Sequence, residues 1–582
     1  MGNAVRKTRR LALGVLAACL GGTPVADCAD TPPDVSALRQ QRQPVALVRY
    51  GRYLLVGNRR SGTISLIDVA DQAVVAEHVV AARIADMASL GAGQGLLVVD
   101  DLEHRAIRVS IKQGGLAVQP LVRIPRGARK IARSAQGQQV FVSCSWAHSV
   151  AVLTFDATFA KLRHSRTIAV PFVPRELVLL SDERTLLVAD AFGGRIGLLD
   201  TAENRVQSVR RIDGHNIRGL ALSNNGKRLH VAHQRMAMRA RADYEELHWG
   251  RLVSNAVEVF DLDRLLASSP DTVTRGWMDA QGGIGDATGD PGGVITGPDG
   301  FTATTFSGMG EVAVRYGGYV KRLRVQKRPE AMARDRQHLY VANRFDDSVS
   351  VVDLRAGAVV RTIELGPRPE LDEVARGERL FFDARLSHDA WISCHSCHTD
   401  GHSSGLLVDT LGDGDYGAPK RVPSLLGTGR TGPWGWTGGA QSLSEQVRNS
   451  VTTTMHGAQL TDRQTADLVA YLKTLRMPAS SHVDDVGLIG QGRAVFAARG
   501  CARCHTGPDL TSEAVFDVGL TDERGRSAFN PPSLRGLSHR ATFFHDGRVD
   551  QLQHVVRRVR HMLDKPLSDA ESQALLAFLR SL

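Results

Sequence analysis

The chain has 582 residues, of which 42% are hydrophobic and 23% charged, with 58 glycines and only 5% aromatics. That length exceeds one core, so two or more domains are expected; the composition is ordinary for a soluble protein, and many glycines with few aromatics suit a turn-rich all-β part. The net charge of +11 comes without a basic stripe of interleaved aromatics, so nucleic acid is not an expected partner.

Residues 1–29 read as a signal peptide. Arg6, Lys7, Arg9 and Arg10 precede an apolar run from Leu11 to Gly22, which is too short to span a membrane as a helix. Leu16-Ala17-Ala18-Cys19 also reads as a lipoprotein box, so Cys19 is a candidate lipid anchor and the only expected route to a membrane. Export to the periplasm follows, and removal of these residues leaves a charge of +8, a field suited to an acidic redox partner. Of seven cysteines, Cys19 and Cys28 fall in the leader, and Cys144 sits in an apolar strand pattern as a buried free thiol.

From about residue 45 a unit of two apolar strands and a polar turn repeats. Equivalent positions Val56, Val98, Val142, Val188 and Val231 are 42, 44, 46 and 43 residues apart. Further units contain Thr304 and Val341. Repeats of about 40–45 residues with several strands predict a β-propeller, here of seven blades over 45–365. With Tyr340-Val341-Ala342-Asn343, this region resembles the YVTN family of bacterial propellers, a resemblance that implies an interaction platform. Two insertions, 237–254 and 276–300, are either binding loops or surface decoration. Gly366-Pro-Arg-Pro369 marks a hinge.

An all-α tandem unit follows, read as cytochrome c domains over 371–478 and 484–582. Cys394-His-Ser-Cys397-His398 and Cys501-Ala-Arg-Cys504-His505 are both C-x-x-C-H, 107 residues apart. The pattern attaches c-type haem: two thiols form thioethers to one porphyrin, and the adjoining histidine lies under the iron. A single zinc site built from the four cysteines is the competing reading. The offset of 107 recurs between Met455 and Met562, and between Thr461-Asp-Arg-Gln464 and Ser568-Asp-Ala-Glu571, both capping boxes before amphipathic helices. Met455 and Met562 are therefore candidate distal ligands opposite His398 and His505.

The segment 377–387, the two attachment motifs, Pro532-Ser-Leu-Arg535 and Phe544-His545-Asp546-Gly547 resemble the bacterial di-haem cytochrome c peroxidases and MauG-type enzymes. The resemblance implies two covalent haems, a peroxidatic first haem and an electron-relaying second one. It makes Met562 the ligand of the second, Trp436 an inter-haem tryptophan and Gln446 a residue of the first-haem pocket. The departures are specific. Thr454 stands where the family has its acid/base glutamate, which a threonine cannot replace in proton transfer. The distal histidine has only His402 or His456 as stand-ins. Gly427, Arg540 and Thr542 replace residues of the calcium motif, which puts calcium in doubt. The functional expectation is an exported di-haem oxidoreductase passing electrons between its haems and a partner or a peroxide-like oxidant. The alternatives are an electron carrier with two six-coordinate haems docking through its propeller, and a propeller-based recognition or redox-sensing protein.

Overall fold

The computed structural model describes residues 41–582 apart from 92, 113–114, 271, 280–281, 317 and 481–484. The leader reading and Cys19 lie outside the described residues. Seven sheets of antiparallel strands follow one another over 44–79, 84–123, 128–169, 174–212, 215–279, 291–324 and 329–364, each built up in chain order from its first strand. They are the blades of a seven-bladed propeller. The fourth blade gains a short fifth strand, Val273–Thr274, running parallel to Arg205–Ile212.

The repeat explains the fold. The second strand of each blade (Tyr53–Asn58, Leu96–Asp100, Thr185–Asp190 and their counterparts) is buried almost throughout, because a neighbouring blade stacks on each face. In the first and last blades Asn58 and Asn343 make matching bonds, to Thr63 and Ser65 and to Ser348 and Ser350. Asp68, Asp200 and Asp353 each end a third strand and accept two backbone N–H groups of the next turn, which fixes the hairpin. Among the described residues no strand is exchanged to close the ring. The first and last blades close it through packing of Leu54, Val56 and Ile67 against Tyr340, Val349 and Val351.

Two helical lobes follow the propeller. In the first, Glu373–Phe381 crosses Asp462–Thr474; in the second, Val486–Ala498 crosses Asp569–Ser581. Both crossings need glycine. A Cβ at Gly377 would overlap the Asp467 carbonyl oxygen, and one at Gly492 that of Ala574. Both capping boxes form, Thr461 with Gln464 and Ser568 with Glu571. Among the described residues no helix is long and apolar enough to cross a membrane.

Candidate metal centres

The two C-x-x-C pairs do not converge. Cys394 and Cys397 pack in the apolar cluster of the first lobe, and Cys501 in that of the second. Among the described residues no site draws three or more ligands from the four cysteines, so the single zinc site is excluded.

Each lobe instead presents one imidazole prepared in the same way. His398 Nδ1 lies 3.0 Å from the Pro423 carbonyl, and His505 Nδ1 lies 3.1 Å from that of Leu510. A carbonyl accepts only, so the proton sits on Nδ1 and Nε2 keeps the lone pair an iron needs. Burial pushes both rings down to about 4, so both are neutral at pH 7. Apolar surroundings push the Cys394 and Cys397 thiols up to about 12.

In the second lobe Cys501, Cys504 and His505 open onto a largely apolar cavity that Met562 also lines. Two guanidinium groups, Arg421 and Arg540, lie on its wall. Burial holds them down to about 9 and about 10, and for Arg421 the neighbouring Arg540 charge adds to the effect. Their hydrogen bonds go to backbone carbonyls, Arg421 Nε to Phe544 and Arg540 to Ser533 and Arg535. Two buried cations side by side call for an anion. Haem propionates supply that charge, so the donor set and the wall both fit haem.

His561, which sequence reasoning passed over, lines the same cavity with its Nδ1 buried and unbonded. Its neighbour Met562 is 44% exposed and has a left-handed backbone. The repeat slips here. The π-helical turn before the methionine is Ser450–Thr454 in the first lobe and Val555–Val559 in the second, so Met455 follows it directly and Met562 only after Arg560 and His561. A search for offsets of 107 aligns the methionines; the shorter offset of the turns aligns His456 with His561.

Met455 is 4% exposed and packs in the cluster that includes Cys394, Cys397 and Trp434. Trp436 lies at the seam of the lobes: it lines the second cavity, its Nε1 donates to the Arg421 carbonyl at 2.7 Å, and its own carbonyl accepts from Asn530. Gln446 Nε2 donates to Ser450 Oγ at 3.1 Å, and its Oε1 lies 3.8 Å from where a Cβ on Gly435 would stand. The Thr452 and Thr453 hydroxyls are spent on the Arg448 and Asn449 carbonyls. His402 is buried rather than superficial. Its Nδ1 lies 2.8 Å from Ser424 Oγ and its Nε2 3.1 Å from the His539 carbonyl, with Phe192 of the propeller meeting its ring edge-on. His456 Nε2 donates to the Ala242 carbonyl.

The propeller's contribution was not legible in the motif. The first strands of all seven blades line a charged central channel, which Glu378, Phe382, His395, Asp400 and Tyr471 of the first lobe line as well. Ser393 and Ser396 both donate to Asp290, which lies within the second insertion just before the strand Pro291–Thr296. His215 Nε2 reaches the Ser396 carbonyl at 2.9 Å, Gln234 donates to Ser396 Oγ, and Asn255 donates to the Trp391 carbonyl. Arg218 contacts His395 and, with Arg175, Asp400. The first insertion supplies Gly250, whose bare Cα lies against the Trp391 ring. Both insertions therefore pack on the first lobe.

A propeller carrying two lobes, each with a C-x-x-C-H segment, defines a propeller–cytochrome fusion as the class. Residues 372–479 match the family model for di-haem cytochrome c peroxidase. The chain is 27% identical over 266 residues to cytochrome c551 peroxidase of Pseudomonas aeruginosa (35% of this chain, 77% of that protein). It is 29% identical over 276 residues to methylamine utilization protein MauG of Methylorubrum extorquens (36% of this chain, 78% of that protein). Among solved structures, hydrazine synthase of Kuenenia stuttgartiensis is similar at a TM-score of 0.47 and 19% identity, over 54% of this chain and 96% of that one. The C-terminal part of the chain is thus similar to the di-haem cytochrome c peroxidases and MauG proteins, a similarity that supports two c-type haems and a redox function.

Proposed function

We propose that this protein is an exported, periplasmic di-haem oxidoreductase. Cys394 and Cys397 bind one haem covalently and Cys501 and Cys504 the other, with His398 and His505 as proximal ligands. The observation that carries this reading is the matched pair of imidazoles, each with Nδ1 committed to a carbonyl. When bound, the haems supply reversible one-electron chemistry. Met562 or His561, which line the same cavity as His505, would be the second protein ligand to that haem's iron. Trp436, at the seam of the lobes, would be the route for electrons between the centres, and Gln446 a residue of the first-haem pocket. Arg421 and Arg540 hold the propionate edge. Electrons enter at the second lobe, from a partner docking near exposed Met562, because the first lobe is seated on the propeller.

The substrate of the first centre is an oxidant of the peroxide class, admitted when Met455 leaves its buried position. Proton transfer there has no carboxylate at Thr454, so a solvent proton must serve. The burial of Met455 favours a second reading, in which both haems stay six-coordinate and the protein only carries electrons. Absorption spectra of the oxidised and half-reduced protein, with and without hydrogen peroxide, decide between them. A high-spin, peroxide-reactive centre supports the oxidoreductase. Two low-spin centres inert in every redox state would leave electron carriage alone.

A further inference from the structure

A second cluster of ligating side chains lies away from both cavities. His248 ends the five-residue helix Tyr244–His248 in the propeller's first insertion. His388 and Asp389 belong to the turn His388–Ala390, just before Trp391 and the first attachment motif. His248 Nδ1 lies 3.1 Å from His388 Nε2 and 3.0 Å from Asp389 Oδ2, and His388 Nε2 lies 3.3 Å from the same oxygen.

Protons satisfy this triangle only in part: if His248 alone donates to Asp389, the His388 lone pair still faces the same carboxylate oxygen at 3.3 Å. If both imidazoles donate to Asp389, their two N–H groups face each other across 3.1 Å. If His388 donates to His248 instead, the His248 lone pair faces a carboxylate oxygen at 3.0 Å. A single cation accepts all three lone pairs and removes the conflict. The size fits as well. Bonds of about 2.0–2.2 Å to nitrogen and oxygen set neighbouring ligand atoms about 2.9–3.4 Å apart, from octahedral to tetrahedral geometry. Two imidazoles with one carboxylate suit zinc and similar first-row ions rather than calcium or magnesium, which take oxygen.

The surroundings are those of a built and reachable site. The Tyr244 ring stacks on His248, with centroids 5.7 Å apart and planes 6° apart, and lies 4.6 Å from the His388 ring. Asp389 and Ala390 both hold left-handed backbone angles, which aim the carboxylate and cost strain in a non-glycine residue. The three side chains are between 19% and 30% exposed, enough for an ion to enter from solvent and for water to fill the remaining position.

We propose that His248, His388 and Asp389 bind one zinc-class divalent cation that pins the propeller's insertion helix to the segment leading into Cys394. The His388 N–H donates to the Met455 carbonyl at 2.9 Å, so the clamp is one bond from the loop carrying the first centre's candidate distal ligand. The site is independent of how the haems are used.

The test uses the full haem-loaded protein, stripped with a chelator and titrated with Zn2+ alone. Equilibrium dialysis is expected to give one tight equivalent per chain, lost in the Asp389→Asn and His248→Gln variants while their haem spectra stay unchanged. Equal zinc uptake by wild type and both variants overturns the proposal. A measurement on wild type needs no variant to fold. Zn2+ should protect His248 and His388 from diethyl pyrocarbonate, read by peptide mass spectrometry, and equal labelling with and without zinc overturns the proposal equally.

Discussion

The two cytochrome lobes share a plan and differ in surroundings. The first sits on the propeller channel, with Ser393, His395, Ser396 and Asp400 held by propeller side chains and its methionine buried. The second touches the propeller chiefly where His539 meets Trp146 and His148, and its methionine is partly exposed. Seating restricts one lobe and leaves the other accessible to partners. A duplicated unit can thus be placed in two different surroundings without changing its attachment motif.

The largest way to break this contrast is to remove the seat. Burial opposes ionisation of Asp290, but nearby His395, with Nδ1 3.7 Å away, and the hydrogen bonds from Ser393 and Ser396 bring it down to about 2. Asp290→Ala leaves those buried donors unpaired, and we expect a loss of about 3–5 kcal/mol in denaturant unfolding, with the first lobe's spectrum perturbed and the second's retained. Equal disturbance of both lobes would break the comparison.

Acid sharpens the same contrast. Burial pushes His215 and His402, both at the junction, down to about 4. Unfolded imidazoles take up protons near pH 6.5, so between about 6.5 and 4 the native state binds fewer protons than the unfolded one. Stability is fully present above pH 6.5 and falls as pH drops toward 4, by up to about 3 kcal/mol per histidine. Melting temperatures measured across that window should fall for wild type and fall less for His402→Gln.

A smaller effect compares the helix crossings. Gly377→Ala and Gly492→Ala each force an overlap with backbone, costing about 1–3 kcal/mol. Limited proteolysis should show the second lobe loosening sooner in Gly492→Ala than the first in Gly377→Ala, because the propeller braces the first.

Much of this was readable from residues. Repeat spacing near 43 gave the blades, because each second strand must be apolar on both faces. The attachment motifs and capping boxes are local chemistry, written in consecutive residues. The seat was not readable, because it pairs Asp290 with Ser393 and Ser396 across 103 and 106 residues. The x positions of C-x-x-C carry no signal of a distant partner. His561 was hidden by a two-residue slip in the repeat, and the Arg421–Arg540 pair by its separation in sequence.

Spectroelectrochemical titration of wild type, Met455→Ala, Met562→Ala and His561→Ala tests the division of the two lobes most directly. Wild type should give two separate haem waves. Met455→Ala should shift only the first lobe's wave, and one of Met562→Ala or His561→Ala only the second's. A single wave, or shifts of both waves in every variant, would contradict the account.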